Sequence, residues 1–160
     1  MQNSVPILSV LVKKDRVVEL GNFNEDLKIQ NAEDYQLWLR LVDDGCVFYG
    51  MKERLFYYRV HPNQSTSDLS ATIIPKTWVL NSIVFKTISQ QEKMKLMEDK
   101  LDRTLFKYID QWSDTKLKEL INLYSNPLRN FNKYIICKTA LFFGKSKFKS
   151  VWYRFFKVTV

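Results

Sequence analysis

The sequence predicts an α/β protein: a small mixed sheet with flanking helices, followed by an all-helical carboxyl-terminal extension. Three observations carry that expectation. Short apolar runs rich in branched and aromatic residues lie ahead of residue 61, apolar positions recur at helical spacing beyond residue 70, and glycine, proline and polar clusters separate them.

In chain order, "ILSVLV" (7–12) reads as a buried strand. "KKDRVVELG" follows as a short helix with Gly21 just past its end, and "NFNEDLKIQN" reads as a loop. A helix is expected from Ala32 to Asp44, closed by Gly45. Asn31 stands as its N-cap, and Asp34 three residues later completes a capping-box-like pair. Residues 46–50 and 54–60 read as two more strands, and "HPNQSTSD" as a polar loop. From about residue 70 the pattern is helical. Met94, Met97, Leu101, Leu105, Phe106 and Ile109 form one stripe, Ser113 caps a further helix, and Pro127 marks the next boundary. The expected segments are 1–69 for the strand-containing part, 70–126 for a helical extension and 127–160 for a basic tail.

Charge divides the chain at the same place. The net charge is +8, yet residues 1–126 hold 17 Lys+Arg against 17 Asp+Glu, while residues 127–160 hold eight cations and no acid. A neutral body with a basic, aromatic tail suggests a docking segment rather than a nucleic-acid-binding protein. Cys46 and Cys137 form no Cys-x-x-Cys motif and read as reduced thiols. The amino terminus has no cationic stretch ahead of its apolar run, so it does not read as a signal peptide. No run of 18 uncharged apolar residues suggests a spanning helix. The expected location is cytoplasmic, peripheral at the inner face of the cell membrane.

Two stretches concentrate chemistry. Asp34, Trp38 and Leu41 fall at i, i+4 and i+7, so Asp34 heads the stripe that carries the packed tryptophan, with Leu37 and Trp38 as packing residues. Glu33 is turned about 100° away. Downstream, Arg59 and the only histidine, His61, alternate with Val60 and so share one face of a strand end, followed by Ser65 and Thr66. A guanidinium, an imidazole and two hydroxyls there would suit a diphosphate and its metal.

Together these stretches resemble the second half of the catalytic domain of bacterial family 2 glycosyltransferases. The matching motifs are Gly21-Asn22-Phe23-Asn24-Glu25, the Glu-Asp-Tyr-x-Leu-Trp-x-Arg segment at 33–40, and Tyr58-Arg59-Val60-His61, spread in order over about residues 4 to 67. The resemblance implies a GT-A-type fold and inverting transfer from a nucleotide-diphosphate sugar to a saccharide or lipid-linked acceptor, in cell-surface polysaccharide synthesis. It implies Asp34 as general base, Glu33 as its catalytic neighbour, Arg59, Ser65 and Thr66 as substrate-binding groups, His61 as metal ligand, and Mn2+ or Mg2+ as cofactor of the complete enzyme.

The sequence departs from that family in holding no Asp-x-Asp motif; Asp43-Asp44 at the helix end has the wrong spacing. The expectation is therefore a carboxyl-terminal portion of a transferase, inactive by itself. The alternative is a non-catalytic transferase remnant that binds a membrane surface or a partner. In the tail, Phe148, Trp152, Phe155 and Phe156 recur at roughly helical spacing among Lys145, Lys149, Arg154 and Lys157. Such a helix either lies on an anionic membrane or packs on the body with its cations solvated.

Overall fold

The structure, a computed structural model, describes residues 5–61 and 70–156. Among the described residues every regular element is helical. The α-helices are α1 (Lys14–Glu19), α2 (Glu33–Asp43), α3 (Ser70–Ser82), α4 (Gln90–Tyr108), α5 (Asp114–Ser125), α6 (Phe131–Phe142) and α7 (Lys145–Phe156), with short 3-10 turns at Ile7–Ser9 and Leu27–Ile29. The chain divides into two compact units, Met1–Gln90 and Gln91–Val160.

This corrects the α/β, GT-A-type expectation: the described residues contain no strand. The first expected strand is a 3-10 turn closed by Ser9 N–H donating to the Pro6 carbonyl (3.0 Å), after which Val10 is extended. Residues 46–50 and 54–60 adopt no regular secondary structure. The physical reason lies in what a strand requires. Its amide and carbonyl groups need a neighbouring strand, and its apolar side chains need a covering layer. Among the described residues no strand pairs with them, and Val47, Tyr49, Leu55 and Tyr57 are exposed.

In the first unit the helical expectations hold at the carboxyl-terminal ends of both helices. α1 and α2 both end in paired backbone bonds closed by a glycine. Gly21 N–H donates to Val18 O and Asn22 N–H to Val17 O, both at 2.9 Å; Gly45 N–H donates to Val42 O (3.0 Å) and Cys46 N–H to Leu41 O (2.9 Å). Gly21 and Gly45 take the left-handed φ values this turn needs, 82° and 83°. Leu37, Trp38 and Leu41 of α2 form a core against which Val5, Val10, Val17, Leu20 and Cys46 pack. α3 lies against α2 and the Leu27–Ile29 turn, burying Thr77, Val79 and Leu80.

The second unit is a helical assembly in which α5 packs on α6 and α6 on α7. Met97, Leu101, Leu105 and Ile109 of the expected stripe are buried, and Met94 and Phe106 are half-buried. The Ser113 hydroxyl accepts from Lys116 N–H, so it caps α5 as its position predicts. The tail helix breaks at Gly144, with Phe148 of α7 buried.

Candidate functional site at the start of α2

Glu33 and Asp34 occupy the first turn of α2, where negative charge suits the helix dipole, and both are half-buried. The turn is built differently from the expected cap. Asn31 is not the N-cap: it sits in the left-handed region (φ 68°), and the cap position falls to Ala32, which is fully buried and offers no side-chain acceptor. Ala32 N–H donates instead to Ile29 O (2.8 Å), so the chain enters α2 from the 3-10 turn beneath it. The Asp34 carboxylate itself supplies an acceptor to the orphan first-turn donors, with Oδ1 taking Tyr35 N–H at 2.6 Å.

The helix that carries the acid pair is fixed by its core. Trp38 is buried one turn beyond Asp34, and its indole N–H donates to Val5 O at 3.1 Å. Leu37 is fully buried. Both were expected as packing residues, and both are.

Arg40 has a role that spacing alone did not reveal. Its guanidinium donates to the carbonyls of Leu20 and Asn22, tying the end of α2 to the loop after α1. Two of the three ordered motifs, at 21–25 and 33–40, are thereby joined by one side chain. Burial lowers the Arg40 pKa from its ordinary value. The available signal was that Arg40 is the only cation of α2, placed among apolar neighbours.

Asp43 and Asp44, rejected as an Asp-x-Asp equivalent on spacing, are structurally engaged. Asp43 accepts from Lys86 N–H (2.7 Å), Thr87 N–H (3.0 Å) and the Thr87 hydroxyl (2.6 Å). Asp44 pairs with Arg16 and, at 2.5 Å, with the Lys86 ammonium. Lys86 and then Arg16 hold the Asp44 carboxyl below its ordinary value.

The second half of the predicted site is less built. Arg59 and His61 lie in the exposed, irregular stretch, and Ser65 and Thr66 fall outside the described residues. Among the described residues no group of three or more His, Cys, Asp or Glu could hold a metal ion. Compared with known proteins, the chain matches no family model, no curated protein and no solved structure.

A dense polar cluster lies elsewhere, in the second unit. Lys133 Nζ sits 2.6 Å from both Glu98 Oε1 and Asp102 Oδ2. The Tyr124 hydroxyl donates to Asp102, and Asn130 Nδ2 to Glu98 (3.2 Å). Burial opposes the Lys133 charge, but the Asp102 and Glu98 carboxylates outweigh it and raise its pKa. Burial likewise raises Asp102, against the hydrogen bonds from Lys133 and Tyr124, and pushes the Cys137 thiol up to about 12. Tyr124 is raised well above its ordinary value by burial and by Asp102. These shifts keep the thiol and phenol protonated at neutral pH, which suits an internal strut and not a nucleophile. Sequence reasoning missed the cluster because its members come from α4, α5 and α6, and no sequence spacing links the three helices.

No helix among the described residues is long and apolar enough to cross a membrane.

Proposed function

We propose that this chain carries the acceptor side of an inverting sugar transferase, with Asp34 as general base. The supporting observation is the placement of the Glu33-Asp34 pair: half-buried, at the start of a helix whose next turn is locked into the core by Trp38. An acid so held can meet an acceptor hydroxyl without its helix moving, which is what positioned proton transfer needs.

In the proposed reaction the acceptor oxygen forms a bond to the anomeric carbon of a nucleotide-diphosphate sugar. The bond from that carbon to the diphosphate oxygen breaks, the acceptor proton passes to the Asp34 carboxylate, and the nucleoside diphosphate departs. Glu33 orients the acceptor. Arg59 neutralises charge on the leaving diphosphate, with Ser65 and Thr66 as further donors. The acceptor is a saccharide or lipid-linked saccharide, and the chain works at the inner face of the cell membrane. A divalent cation, Mn2+ or Mg2+, would stabilise the leaving diphosphate when bound. Because no Asp-x-Asp occurs in the sequence, turnover of a nucleotide sugar by these 160 residues alone is not expected.

Transfer in the native cells tests the assignment. Asp34→Asn should lower formation of the saccharide product by about 100-fold or more, the usual scale of losing a positioned base, while circular dichroism of the purified variant stays unchanged. Product formed at the wild-type rate by a folded Asp34→Asn variant would remove Asp34 from the chemistry. A second reading, a non-catalytic remnant that docks to a surface, is favoured by one observation: the exposed apolar face of α6.

A further inference from the structure

α6 is apolar on two opposite faces. On one, Cys137, Ala140 and Leu141 are buried with the aliphatic stem of Lys133. On the other, Phe131, Ile135, Lys138 and Phe142 fall within about 60° of one another at 100° per residue. Phe131, Ile135 and Phe142 are all exposed, Phe142 by 85%. Phe143 is exposed too, and its ring meets that of Phe142 edge-on at 5.5 Å. A contiguous exposed apolar patch ordinarily marks an interaction surface. The stripe spans the 12 residues of the helix, about 16 Å from end to end, and so forms a continuous face.

The charge around this face says what kind of surface would cover it. Residues 127–160 contain no acid. Of their cations, Lys133 is spent on Glu98 and Asp102, Lys145 faces Asp114, and Lys149 pairs with Asp110. Arg129, Lys138, Lys147 and Arg154 are exposed and make no ion pair among the described residues. Lys138 belongs to the stripe itself, and Arg129 stands two residues ahead of Phe131. Asp114 lines the hollow beside Phe142 and Lys138 but already faces Lys145, so a second copy meeting this face would set its cations against their own kind. Aromatic and aliphatic groups flanked by cations instead match the boundary between acyl chains and anionic headgroups.

We infer that the Phe131–Ile135–Phe142 face of α6, with Lys138 and Arg129 at its edge, docks onto an anionic lipid bilayer. This places the docking surface on α6 rather than on Phe148 of α7, which is buried, and it stands independently of the role of Asp34.

Sedimentation of the full chain with lipid vesicles tests it. Vesicles of phosphatidylcholine containing about one-third phosphatidylserine should capture the protein at least ~10-fold better than phosphatidylcholine alone, and high salt should release it. The triple variant Phe131→Ser, Ile135→Ser, Phe142→Ser changes only exposed side chains and should keep its thermal melt while losing that capture about tenfold or more. Should the triple variant fail to fold, Lys138→Glu with Arg129→Glu probes the same face and should show the same loss. Equal capture by neutral and anionic vesicles would overturn the inference. So would wild-type capture by either folded variant, or a concentration-dependent dimer that the triple variant abolishes.

Discussion

The two compact units cover their apolar surface by different means. In the second, α4, α5 and α6 turn Met97, Leu101, Leu105, Leu117, Leu120, Ile121 and Leu141 inward, and even a charged cluster is enclosed. In the first, burial centres on α2, α3 and the turn before α2, while residues 47–60 leave several large apolar side chains in solvent. A helix satisfies its own amides and carbonyls, so only one stripe of side chains needs a partner. A period-2 segment needs a neighbour for its backbone as well as a cover for its side chains. The difference teaches that the helices of this chain complete their own backbone bonding, even where α6 leaves an apolar face exposed, and that residues 46–61 do not.

The contrast would break most sharply at Lys133, whose residue surface is only 8% exposed. Lys133→Met should destabilise the second unit by about 3 kcal/mol, at the low end for breaking a buried ion pair because Glu98 keeps some contact with water. The measurement is the urea midpoint followed by far-ultraviolet circular dichroism. Adding Asp102→Asn should recover part of the loss, since the stranded charge and not the missing attraction carries most of it. A single variant as stable as wild type would mean that the cluster is hydrated and the second unit no better enclosed than the first.

Alkaline titration sharpens the same comparison with a smaller effect. In the second unit Cys137, Tyr124 and Lys133 all have raised pKa values; in the first, burial raises Tyr35 to about 12. A raised value means that the folded state keeps a proton the unfolded chain gives up. The stabilisation is therefore complete below the unfolded value and lost as pH rises through the folded one. The window opens near pH 9, where the ordinary cysteine value of 9.0 lies, and runs towards about 12. Each such group contributes about 1.4 kcal/mol per pH unit once its unfolded counterpart has ionised. Stability should fall above pH 9, and tyrosinate absorbance should show Tyr35 and Tyr124 ionising last, together with unfolding. Tyr124→Phe should flatten the slope above pH 10. Ionisation of Tyr124 near pH 10 in the folded protein would show that the cluster admits water.

What was legible in the sequence follows the same physics. α1, α2 and α5 were readable because Gly21, Gly45 and Ser113 mark their ends chemically, and the α4 stripe because 3.6-residue periodicity is self-sufficient. The cap at Asn31 was misassigned because the spacing of Asn31 and Asp34 fits a capping box without stating the backbone angles. Asn31 is left-handed, and buried Ala32 takes the place. The strands were misassigned because alternating apolar residues report a preference for pairing and say nothing of the partner. Of the candidate site, Asp34 and its anchoring by Trp38 were readable from i, i+4 spacing. The bond of Arg40 to the loop after α1 was not, since it joins residues 18 and 20 apart.

The smallest expected effect lies in residues 46–61 themselves. Val47 and Tyr57 are almost wholly exposed, while Phe48 touches Trp38 edge-on at 6.2 Å. Substituting exposed side chains that touch nothing usually changes stability by less than about 0.5 kcal/mol. Val47→Ser and Tyr57→Ser should therefore leave the melting curve of the first unit where it is, while Phe48→Ser shifts it measurably through the lost ring contact with Trp38. Equal and near-zero shifts for all three would detach the whole segment from the core. A loss above about 1 kcal/mol at Val47 or Tyr57 would exceed the range for exposed positions and reveal a cover over these side chains in solution. The first unit would then be closed by the same kind of burial as the second, and the distinction between them would fall.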